Sequence, residues 1–435
     1  MDILLNPIVI SVLVMTVLSL LKMNVLIALI VAALVGGTLS GMTLGDTMNV
    51  LVGGMGGNAQ TALSYVLLGA LAAAIHKTKA AEALTISISR MIKGKKLVLL
   101  LMLAFVAALS GTVIPVHIAF IPIMIPPLLG VMNKLKLDRR AAASALAFGL
   151  KAPYITIPVG YGIIYHSIIK DQMAASGLEV TMEMIWKSTW VAGLAMVVGL
   201  VLALFYYRKD REYEEVEGFS FEEDNTTQVA MTRVHWITLI AGVSALVVQL
   251  TLGSLPLGAM VGLAIMVVTK TIKWTDVTEV MEGGIQMMGF IAFVMLVASG
   301  YGAVMRETGG IDALVTAASA AMAGSKSIAA FIMVLIGLIV TMGIGTSFGT
   351  VPILAVIYVP LGLALDFSPQ AIILLIATAA ALGDAGSPAS DTTLGPTAGL
   401  NADHQHDHIW DTCVPTFMAY NIPLMIFGTI GATLM

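Results

Sequence analysis

Ten apolar runs in this sequence are each long enough to cross a lipid bilayer, and this feature limits the possible folds most. A bilayer core about 30 Å thick takes about 20 apolar residues of helix. Hydrophobic residues make up 58% of the 435 positions and charged residues 11%, against about a quarter in soluble proteins. We therefore predict an all-α polytopic membrane protein. The predicted spans are 7–22, 25–41, 60–76, 141–168, 188–207, 234–252, 255–272, 286–304, 368–395 and 412–432.

Two further apolar runs, 97–132 and 328–365, are interrupted near their centres by glycine and hydroxyl residues. Two full crossings would need about 40 residues and a turn, so each run is predicted to be a re-entrant hairpin. Non-helical backbone at membrane depth is tolerated only where protein or water covers it. We therefore expect the two hairpin tips, near Ser110 and Ser347, to be buried in the protein.

The remaining composition excludes several function classes. A net charge of −4 and a single cysteine argue against a nucleic-acid binder and a disulfide scaffold. The sequence shows neither a Walker motif nor a nucleophile elbow, so an ATP-driven pump and a membrane hydrolase lack support, and no enzyme activity is predicted. The N-terminus has no basic region before its first apolar run, which is predicted to be a retained span.

A weak internal repeat relates the two halves of the sequence. At an offset of 230 residues Asp46 matches Asp276, and at an offset of 234 Gly111 matches Gly345. Each half then holds five spans and one hairpin, an odd number of crossings, so the second half is predicted to be inverted. The predicted divisions are a first repeat over 1–207, a linker over 208–233 and a second repeat over 234–435.

Basic residues support the inversion, because cytoplasmic loops collect Lys and Arg. The loop over 77–96 is rich in lysine and arginine, whereas the corresponding loop of the second half has only Arg306 and Lys326. Placing 77–96 in the cytoplasm puts both termini outside and makes the acidic segment 208–233 a cytoplasmic linker between the halves, in its simplest form a solvated tether.

Only Lys151, Asp384 and Asp391 are predicted to be charged at membrane depth, where an ionisable group is costly and usually functional. They lie in two predicted broken helices, 141–168 and 368–395, whose glycines, prolines and hydroxyls suit an unwound span. The alternatives are structural: Lys151 could neutralise a carboxylate that holds the halves together, and Asp391 could cap the following half-helix.

Oxygen-bearing side chains gather around these charges, and hard cations prefer carboxylate, hydroxyl and carbonyl ligands. The two hairpin tips are expected to approach the same centre from opposite sides. The predicted cation or proton site comprises Asp384, Ser387, Ser390, Asp391, Thr392, Thr393, Thr346 and Ser347, with Asp384 and Asp391 as the Na⁺ ligands. The residues predicted to bind substrate or compensate charge are Lys151, Tyr154, Thr156, Ser110, Thr112 and His117, although His117 could instead be a packing residue.

Alternating histidines follow in the run Asp403–His408. Three histidines suggest a metal site, but alternating ligands in a loop have no fixed coordination geometry. A cytoplasmic gate or a solvated turn is the favoured interpretation, and the sequence leaves open whether His404, His406 and His408 bind a metal.

The segment from Gly383 to Thr393, continuing to Thr412, resembles the C-terminal signature of the NhaC-type Na⁺/H⁺ antiporter family, and most closely the branch that includes predicted histidine transporters. The resemblance implies two inverted repeats with opposed hairpins and discontinuous helices, a homodimeric scaffold, a moving transport domain and an elevator mechanism. The family's cation-binding role carries over to Gly383, Asp384, Ser387, Pro388, Ser390, Asp391, Thr392 and Thr393. Lys151 departs from the pattern and leaves room for a substrate carboxylate.

Two transport hypotheses remain open. Na⁺/H⁺ antiport is favoured, with Na⁺ and H⁺ as coupling ions and no other cofactor. The alternative is Na⁺- or H⁺-coupled transport of an amino acid, such as histidine, or of an organic anion. A receptor or assembly scaffold is disfavoured because it needs no buried acids in paired broken helices. The expected location is a bacterial inner membrane, as a homodimer with no nucleic-acid partner.

Overall fold

The computed structural model describes residues 6–21, 23–80, 95–112, 121, 125–214, 231–311, 313–316, 325–388 and 390–435, and every secondary-structure element in them is helical. This confirms the predicted all-α class. The helices of the first half are α1 Pro7–Leu20, α2 Val25–Leu39, α3 Leu44–Gly54, α4 Ala59–Lys77, α5 Lys96–Thr112, α6 Leu129–Lys134, α7 Arg139–Thr156, α8 Tyr161–Ala175 and α9 Met182–Tyr206. Those of the second half are α10 Arg233–Leu252, α11 Leu255–Val268, α12 Val277–Glu307, α13 Lys326–Ile344, α14 Ser347–Ala364, α15 Pro369–Ala381, α16 Asp391–Leu400 and α17 His408–Leu434.

Several of these helices have the length and composition of membrane spans. Within the described ranges, four helices (α9, α14, α17 and residues Met288–Glu307 of α12) are long and apolar enough to cross a membrane. The number rises to six when two bent pairs, α3 with α4 and α7 with α8, each count as one span. The other apolar helical stretches within the described residues, such as Arg233–Gln249 and Lys326–Met342, have 10–17 residues.

The two broken helices differ in where the break lies. In the second half, residues 382–390 separate α15 from α16, as predicted. In the first half, α7 continues through Pro153 to Thr156, so Lys151 and Tyr154 lie in a regular helix and not in the predicted unwound segment. The break comes at 157–160 because Pro158 favours an extended residue before it and Gly160 adopts a positive φ of 60°. The two half-helices α7 and α8 meet at 47°.

The Gly-rich segment before the third predicted span also differs from expectation. The predicted spans 25–41 and 60–76 leave 42–59 between them as a loop, but Leu44–Gly54 is helical and continues into a short 3-10 turn at Met55–Asn58. Gly54 serves close packing, because a Cβ there would lie 2.5 Å from the Ala303 side chain and 3.0 Å from Gly300 of α12. The helix therefore forms because α12 covers it, which the local sequence does not reveal.

Helix boundaries and turn contacts recur about 230 residues apart along the chain. Helices α5 and α13 begin at Lys96 and Lys326, and each lysine ammonium donates to a backbone carbonyl 40 residues later, Lys136 at 2.9 Å and Asp366 at 2.5 Å. Lys136 and Asp366 both adopt left-handed backbone conformations, with φ of 47° and 55°. The same local architecture is therefore built twice.

The helices form two groups in contact with each other. One group contains α1 to α4 and α10 to α12, in which α12 packs along α4 and α3. The other contains α5, α7 to α9 and α13 to α17, in which α15 packs against α9, α13, α14 and α17. Every side chain of α15 from Ala371 to Ala381 is buried. The break at the end of α15 therefore opens into the interior of the second group.

Candidate cation site

The centre of the site is the carboxylate of Asp384, which is 6% exposed and receives short hydrogen bonds from three hydroxyls, with the Thr392 hydroxyl 3.5 Å from Oδ1. The Tyr154 hydroxyl donates to Oδ2 at 2.6 Å and the Ser347 hydroxyl donates to the same oxygen at 2.8 Å. The Ser390 hydroxyl donates to Oδ1. These donors come from α7, the tip of the second hairpin and the loop itself, so three separate parts of the chain converge on one carboxylate.

The loop that carries Asp384 owes its shape to glycine and to a distant asparagine. Gly383 and Gly386 adopt positive φ values of 75° and 108°, which favour glycine. Asn421, on α17, donates from its side chain to the Ala385 carbonyl at 3.0 Å and accepts from the Gly383 amide at 3.4 Å. Asn421 therefore supplies the hydrogen bonds that a regular helix would have made here.

Ser390 fixes the start of α16 and places it toward Asp384. It is the N-cap of that helix, with its hydroxyl accepting from the Thr392 amide at 3.2 Å. The cap is thus Ser390 and not Asp391, which was the structural alternative for that aspartate. The N-terminus of a helix carries partial positive charge, so the Asp384 carboxylate lies beside a helix end that favours an anion.

Lys151 occupies the opposite helix end. Its side chain is fully buried, and its ammonium donates to the carbonyl of Ala381, the last residue of α15. Carbonyls in the last turn of a helix have no partner inside the helix and carry partial negative charge. Lys151 therefore neutralises the C-terminal end of α15 at the same break whose other end faces Asp384.

Aromatic rings enclose Tyr154 on the side away from the loop. The Tyr154 ring lies 5.0 Å from the Phe348 ring and 5.4 Å from the Tyr165 ring. Phe348 also contacts Tyr65 of α4 at 5.8 Å. This aromatic group excludes water from one side of Asp384 and joins the hairpin tip to α4, which belongs to the other helix group.

The other predicted residues divide into those near Asp384 and those elsewhere. Thr392 donates to the Asp384 carbonyl at 2.7 Å, and Thr393 donates to the Ser387 and Ser390 carbonyls at 2.5 and 2.9 Å. Ser387 is buried in the loop, and Thr346 is the residue before α14.

The hydroxyls of Ser110, Thr112 and Thr156 bond to carbonyls of their own helices. The first hairpin tip packs at the other break, where a Cβ on Gly160 would meet the Thr112 carbonyl at 2.5 Å. His117 and the Asp391 side chain lie outside the described part of the structure.

A second polar cluster ties the far ends of α7 and α16 together. Arg139 at the start of α7 is fully buried and forms a bidentate pair with Asp403, at 2.6 and 2.5 Å, after the end of α16. Burial alone would raise the pKa of Asp403, but the hydrogen bonds and charge of Arg139 outweigh it and hold that pKa below its usual range. The pair keeps the two site-bearing half-helices in register.

The three histidines of the Asp403–His408 run point in different directions. His404 is exposed, His406 is buried against Thr412 at 2.7 Å, and His408 lies against Thr397 at 2.8 Å. Burial lowers the pKa of His406 to about 4. Within the described residues no group of three or more His, Cys, Asp or Glu side chains is placed to hold a metal ion.

Two functional positions escaped the sequence reasoning. Asn421 lies within the predicted span 412–432, and a polar amide in an apolar run was the available signal. Arg139 was counted as a loop residue because it precedes the predicted span 141–168. Its burial depends on Asp403, 264 residues away, and no local pattern indicates that partner.

This arrangement suits the binding of a proton or a small hard cation. A carboxylate offers about four acceptor positions, and each hydroxyl keeps acceptor capacity when it donates. Carboxylate and hydroxyl oxygens together match the ligands that hard cations prefer. A protonated Asp384 would donate a hydrogen bond to one of these hydroxyl oxygens. A proton can therefore take the place of the cation at this carboxyl group.

Comparisons with known proteins relate this chain to membrane transporters. The profile of the Na⁺/H⁺ antiporter family matches residues 145–429, and that of a second Na⁺/H⁺ antiporter family matches residues 6–92. An uncharacterized membrane protein of Vibrio parahaemolyticus is 48% identical over 98% of this chain and 99% of its own length. A Bacillus subtilis protein named "Putative amino acid transporter YuiF" is 45% identical over 89% of this chain and 90% of its own.

Two solved structures share the fold at low sequence identity. MtrF of Neisseria gonorrhoeae, described as one of a class of antimetabolite efflux pumps, aligns with a TM-score of 0.64 and 16% identity over 93% of this chain and 94% of its own. The YdaH transporter of Alcanivorax borkumensis, described as having an unusual topology, aligns with a TM-score of 0.61 and 14% identity over 98% of each chain.

Proposed function

The chain belongs to the Na⁺/H⁺ antiporter family and is a secondary transporter, and we propose that it exchanges Na⁺ for H⁺ at Asp384. The observation that carries this proposal is the buried carboxylate with its three hydroxyl partners at the break between α15 and α16. An ionised carboxylate at membrane depth is costly without a counter-charge. Binding either Na⁺ or H⁺ removes that cost, so the two ions compete for one site.

Lys151 compensates charge in this mechanism. Its ammonium stays on the Ala381 carbonyl, where it offsets the negative end of α15 and stabilises Asp384 in its ionised form between the release of one ion and the binding of the next. Tyr154, Ser347 and Ser390 supply hydroxyl oxygens, and Asp391 and Thr392 complete the set. Among the described residues at the break, the first half contributes Tyr154 and Lys151 but no carboxylate, so the negative charge that holds the cation comes from the second half.

The inverted repeat and the elevator mechanism belong to the same proposal. The pairs Lys151–Ala381 and Tyr154–Asp384 both join residues 230 apart, the spacing at which helix boundaries recur. Two residues in equivalent positions of the two repeats can contact each other only near the axis that relates the repeats. The two contacts therefore support a cation site on that axis. We assign the moving part to α5, α7 to α9 and α13 to α17, and the dimeric scaffold to α1 to α4 and α10 to α12.

A second candidate function is cation-coupled uptake of an amino acid or organic anion. The name of the Bacillus relative favours it, and so does a buried ammonium three residues before Tyr154 on the same helix. In this case Lys151 would exchange the Ala381 carbonyl for the carboxylate of the substrate. Na⁺ or H⁺ would still bind at Asp384, and the bound ion would move in the same direction as the substrate.

Reconstitution into proteoliposomes tests both candidates. For the wild type, an imposed Na⁺ gradient is expected to change the internal pH without any organic substrate. Asp384→Asn is expected to abolish the response, whereas Asp366→Asn, at an exposed turn where asparagine tolerates the positive φ of 55°, is expected to keep it. Normal sodium dependence in Asp384→Asn would remove that residue from the mechanism. Sodium-driven uptake of labelled histidine or another amino acid, without pH change, would favour the second candidate.

A further inference from the structure

The segment that follows α9 packs against the helix group of α5, α7 to α9 and α13 to α17. Helix α9 ends at Tyr206. Residues 209–214, here called the strap, then run over the starts of α5 and α7 and over the polar region from Asp403 to Asp411. The described start of the linker between the two halves is therefore attached to one helix group, at the end that is predicted to face the cytoplasm.

Hydrogen bonds of the main chain fix the path of the strap. The Arg211 amide donates to the Lys136 carbonyl at 3.1 Å. Three residues later, the Glu214 amide donates to the side-chain oxygen of Gln405 at 2.7 Å, and the Gln405 side-chain nitrogen donates to the Glu214 carbonyl at 2.9 Å. Lys136 precedes α7 in the first half and Gln405 lies in the second half, so the backbone of the strap bonds to both halves of the chain.

Two ion pairs hold the outer side of the strap. The Asp210 carboxylate lies 2.5 Å from the Lys96 ammonium, and the Glu212 carboxylate lies 2.6 Å from the Lys136 ammonium. All four side chains are partly exposed, from 29% to 77%. Each pair is weak by itself, but both pairs act on the same short segment, so they stabilise its bound position together.

The inner side of the strap covers the buried ion pair between Arg139 and Asp403. The Tyr213 ring lies over the Arg139 guanidinium, 4.1 Å from its central carbon, and the Tyr213 hydroxyl accepts from the Arg139 amide at 3.0 Å. Next to it, the Arg211 guanidinium lies 2.7 Å from the Asp411 carboxylate of α17. The strap therefore shields from solvent the pair that connects the far ends of α7 and α16.

The inner and outer contacts of the strap differ in their sensitivity to salt. Exposed ion pairs weaken as the screening length falls from about 10 Å at 0.1 M salt to about 3 Å at 1 M. Buried pairs are screened much less, and both side chains of the Arg139–Asp403 pair are 0% exposed. Rising ionic strength therefore weakens the pairs of the strap with Lys96 and Lys136 before it weakens the pair that the strap covers.

We propose that the strap is a salt-responsive device, which joins the cytoplasmic ends of the two halves at low ionic strength and slows transport when high ionic strength releases it. With the strap bound, α7 is connected to the region of Asp403 by the buried pair and by the strap. After release only the buried pair remains, without the cover of Tyr213, and the two half-helices beside Asp384 are held in register less firmly. The contacts of the strap do not depend on which ion is carried, whereas the effect on transport rests on the proposed function.

Hydrogen exchange followed by mass spectrometry measures the opening of the strap, because the amides of Arg211 and Glu214 are donors in it. In the purified wild type, these amides should exchange roughly threefold to tenfold faster in about 1 M choline chloride than at low salt. The double variant Asp210→Asn with Glu212→Gln lacks both exposed pairs, so its exchange should be fast already at low salt.

Glu214→Gln is the matched control, since Glu214 contacts Gln405 through its backbone and should keep the wild-type exchange. Exchange of the strap amides that does not respond to salt, or that is the same in the double variant as in the wild type, would overturn the inference.

Transport in proteoliposomes tests the regulatory consequence. At a fixed Na⁺ gradient, the rate of the wild type and of Glu214→Gln should fall as choline chloride is raised on both faces, with the osmolarity held constant by sucrose. The double variant should be slow at low salt and lose this salt dependence. Equal salt dependence in the wild type and the double variant would overturn the regulatory role. A wild type without any response to Na⁺ would remove the proposed function, whereas salt-insensitive exchange of the strap amides would remove the strap itself, so the two failures are distinguishable.

Discussion

The hydroxyl of Tyr154 donates to the carboxylate of Asp384 at 2.6 Å, and the two residues are 230 positions apart in the chain. Three residues earlier in each half, Lys151 and Ala381 form a second contact at the same separation. Equivalent positions in the two halves of the chain have therefore become chemically different partners, with an acid in one half and a phenol in the other. This difference makes a single carboxylate site from a repeated architecture.

Replacing Tyr154 by Phe removes one hydroxyl donor from Asp384 without changing the ring. Hydrogen bonds to charged groups contribute about 1.5–3 kcal/mol, so we expect the half-saturating Na⁺ concentration to rise by roughly tenfold or more.

Tyr165→Phe is the control for that variant, since this buried hydroxyl donates to the Ala377 carbonyl at 2.8 Å and not to Asp384. Sodium-dependent flux measured as a function of pH distinguishes the two. Equal Na⁺ affinities for the two variants would argue against a direct role of the Tyr154 hydroxyl.

Lys151→Gln separates the two transport candidates. If Lys151 compensates charge, exchange should survive with a displaced pH profile. If it anchors a substrate carboxylate, amino-acid binding should weaken by about 2–5 kcal/mol, which is roughly thirtyfold to several thousandfold in affinity. Calorimetry with Na⁺ and with candidate amino acids measures both effects. Lys170→Gln, at an exposed position of α8, should change neither the pH profile of exchange nor the affinity for amino acids. If Lys170→Gln changed either quantity as Lys151→Gln does, the effect would not be specific to the site.

Arg139→Met should destabilise the protein far more than a substitution at the neighbouring arginine. It leaves the buried carboxylate of Asp403 without its partner, which typically costs about 3–5 kcal/mol. Arg140 pairs with Asp138, but its own side chain is 36% exposed and Arg211 lies 3.8 Å from the Asp138 carboxylate as a second cation, so Arg140→Met should cost less than Arg139→Met. Thermal unfolding of the purified protein in detergent compares them, and equal losses would contradict the importance of the buried pair.

The same pair predicts a pH dependence of stability. The pKa of Asp403 is lower in the folded protein than its ordinary value, so its contribution is present above the ordinary carboxyl pKa and lost as pH falls through the lowered one. We expect the difference in unfolding temperature between wild type and Asp403→Asn to shrink as the pH is lowered below about 4. A difference that stays constant down to that pH would show that Asp403 does not stabilise the fold through its charge.

Cysteine labelling tests the inverted topology. His76 and Glu307, near the ends of α4 and α12, are both exposed. In a Cys413→Ala background, His76→Cys is expected to react with a membrane-impermeant maleimide only from the cytoplasmic side, and Glu307→Cys only from outside. Labelling of both from one face would rule out the inverted arrangement of the halves.

The sequence identified the loop of Asp384 because its signals are local. A carboxylate within an apolar run is costly wherever the chain takes it, and the glycines at 383 and 386 mark a break in any helix that contains them. Ser390 and Thr392, next to the carboxylate in the chain, could be predicted for the same reason. Ser347 and Tyr154 were also predicted, from the hairpin tip and from the first-half segment around Lys151 that combines glycine, proline and hydroxyl residues.

Other features of the site had no local signal. The break in the first half was predicted around Lys151, but the helix continues to Thr156. Ser110 and Thr112 were expected near the second hairpin tip, and their hydroxyls bond within their own helix.

The apolar character of the chain and the few charges within it are properties of consecutive residues, so the sequence by itself determined that this is a helical membrane transporter with a carboxylate at a helix break. The hydrogen bonds from Tyr154 and Ser347 to that carboxylate, the carbonyl that receives Lys151 and the role of Asn421 were decided only by the tertiary structure. Each of these contacts joins residues at least 36 positions apart. Such contacts depend on how helices pack, because the geometry of a hydrogen bond is fixed to tenths of an ångström while hydrophobic burial tolerates many arrangements.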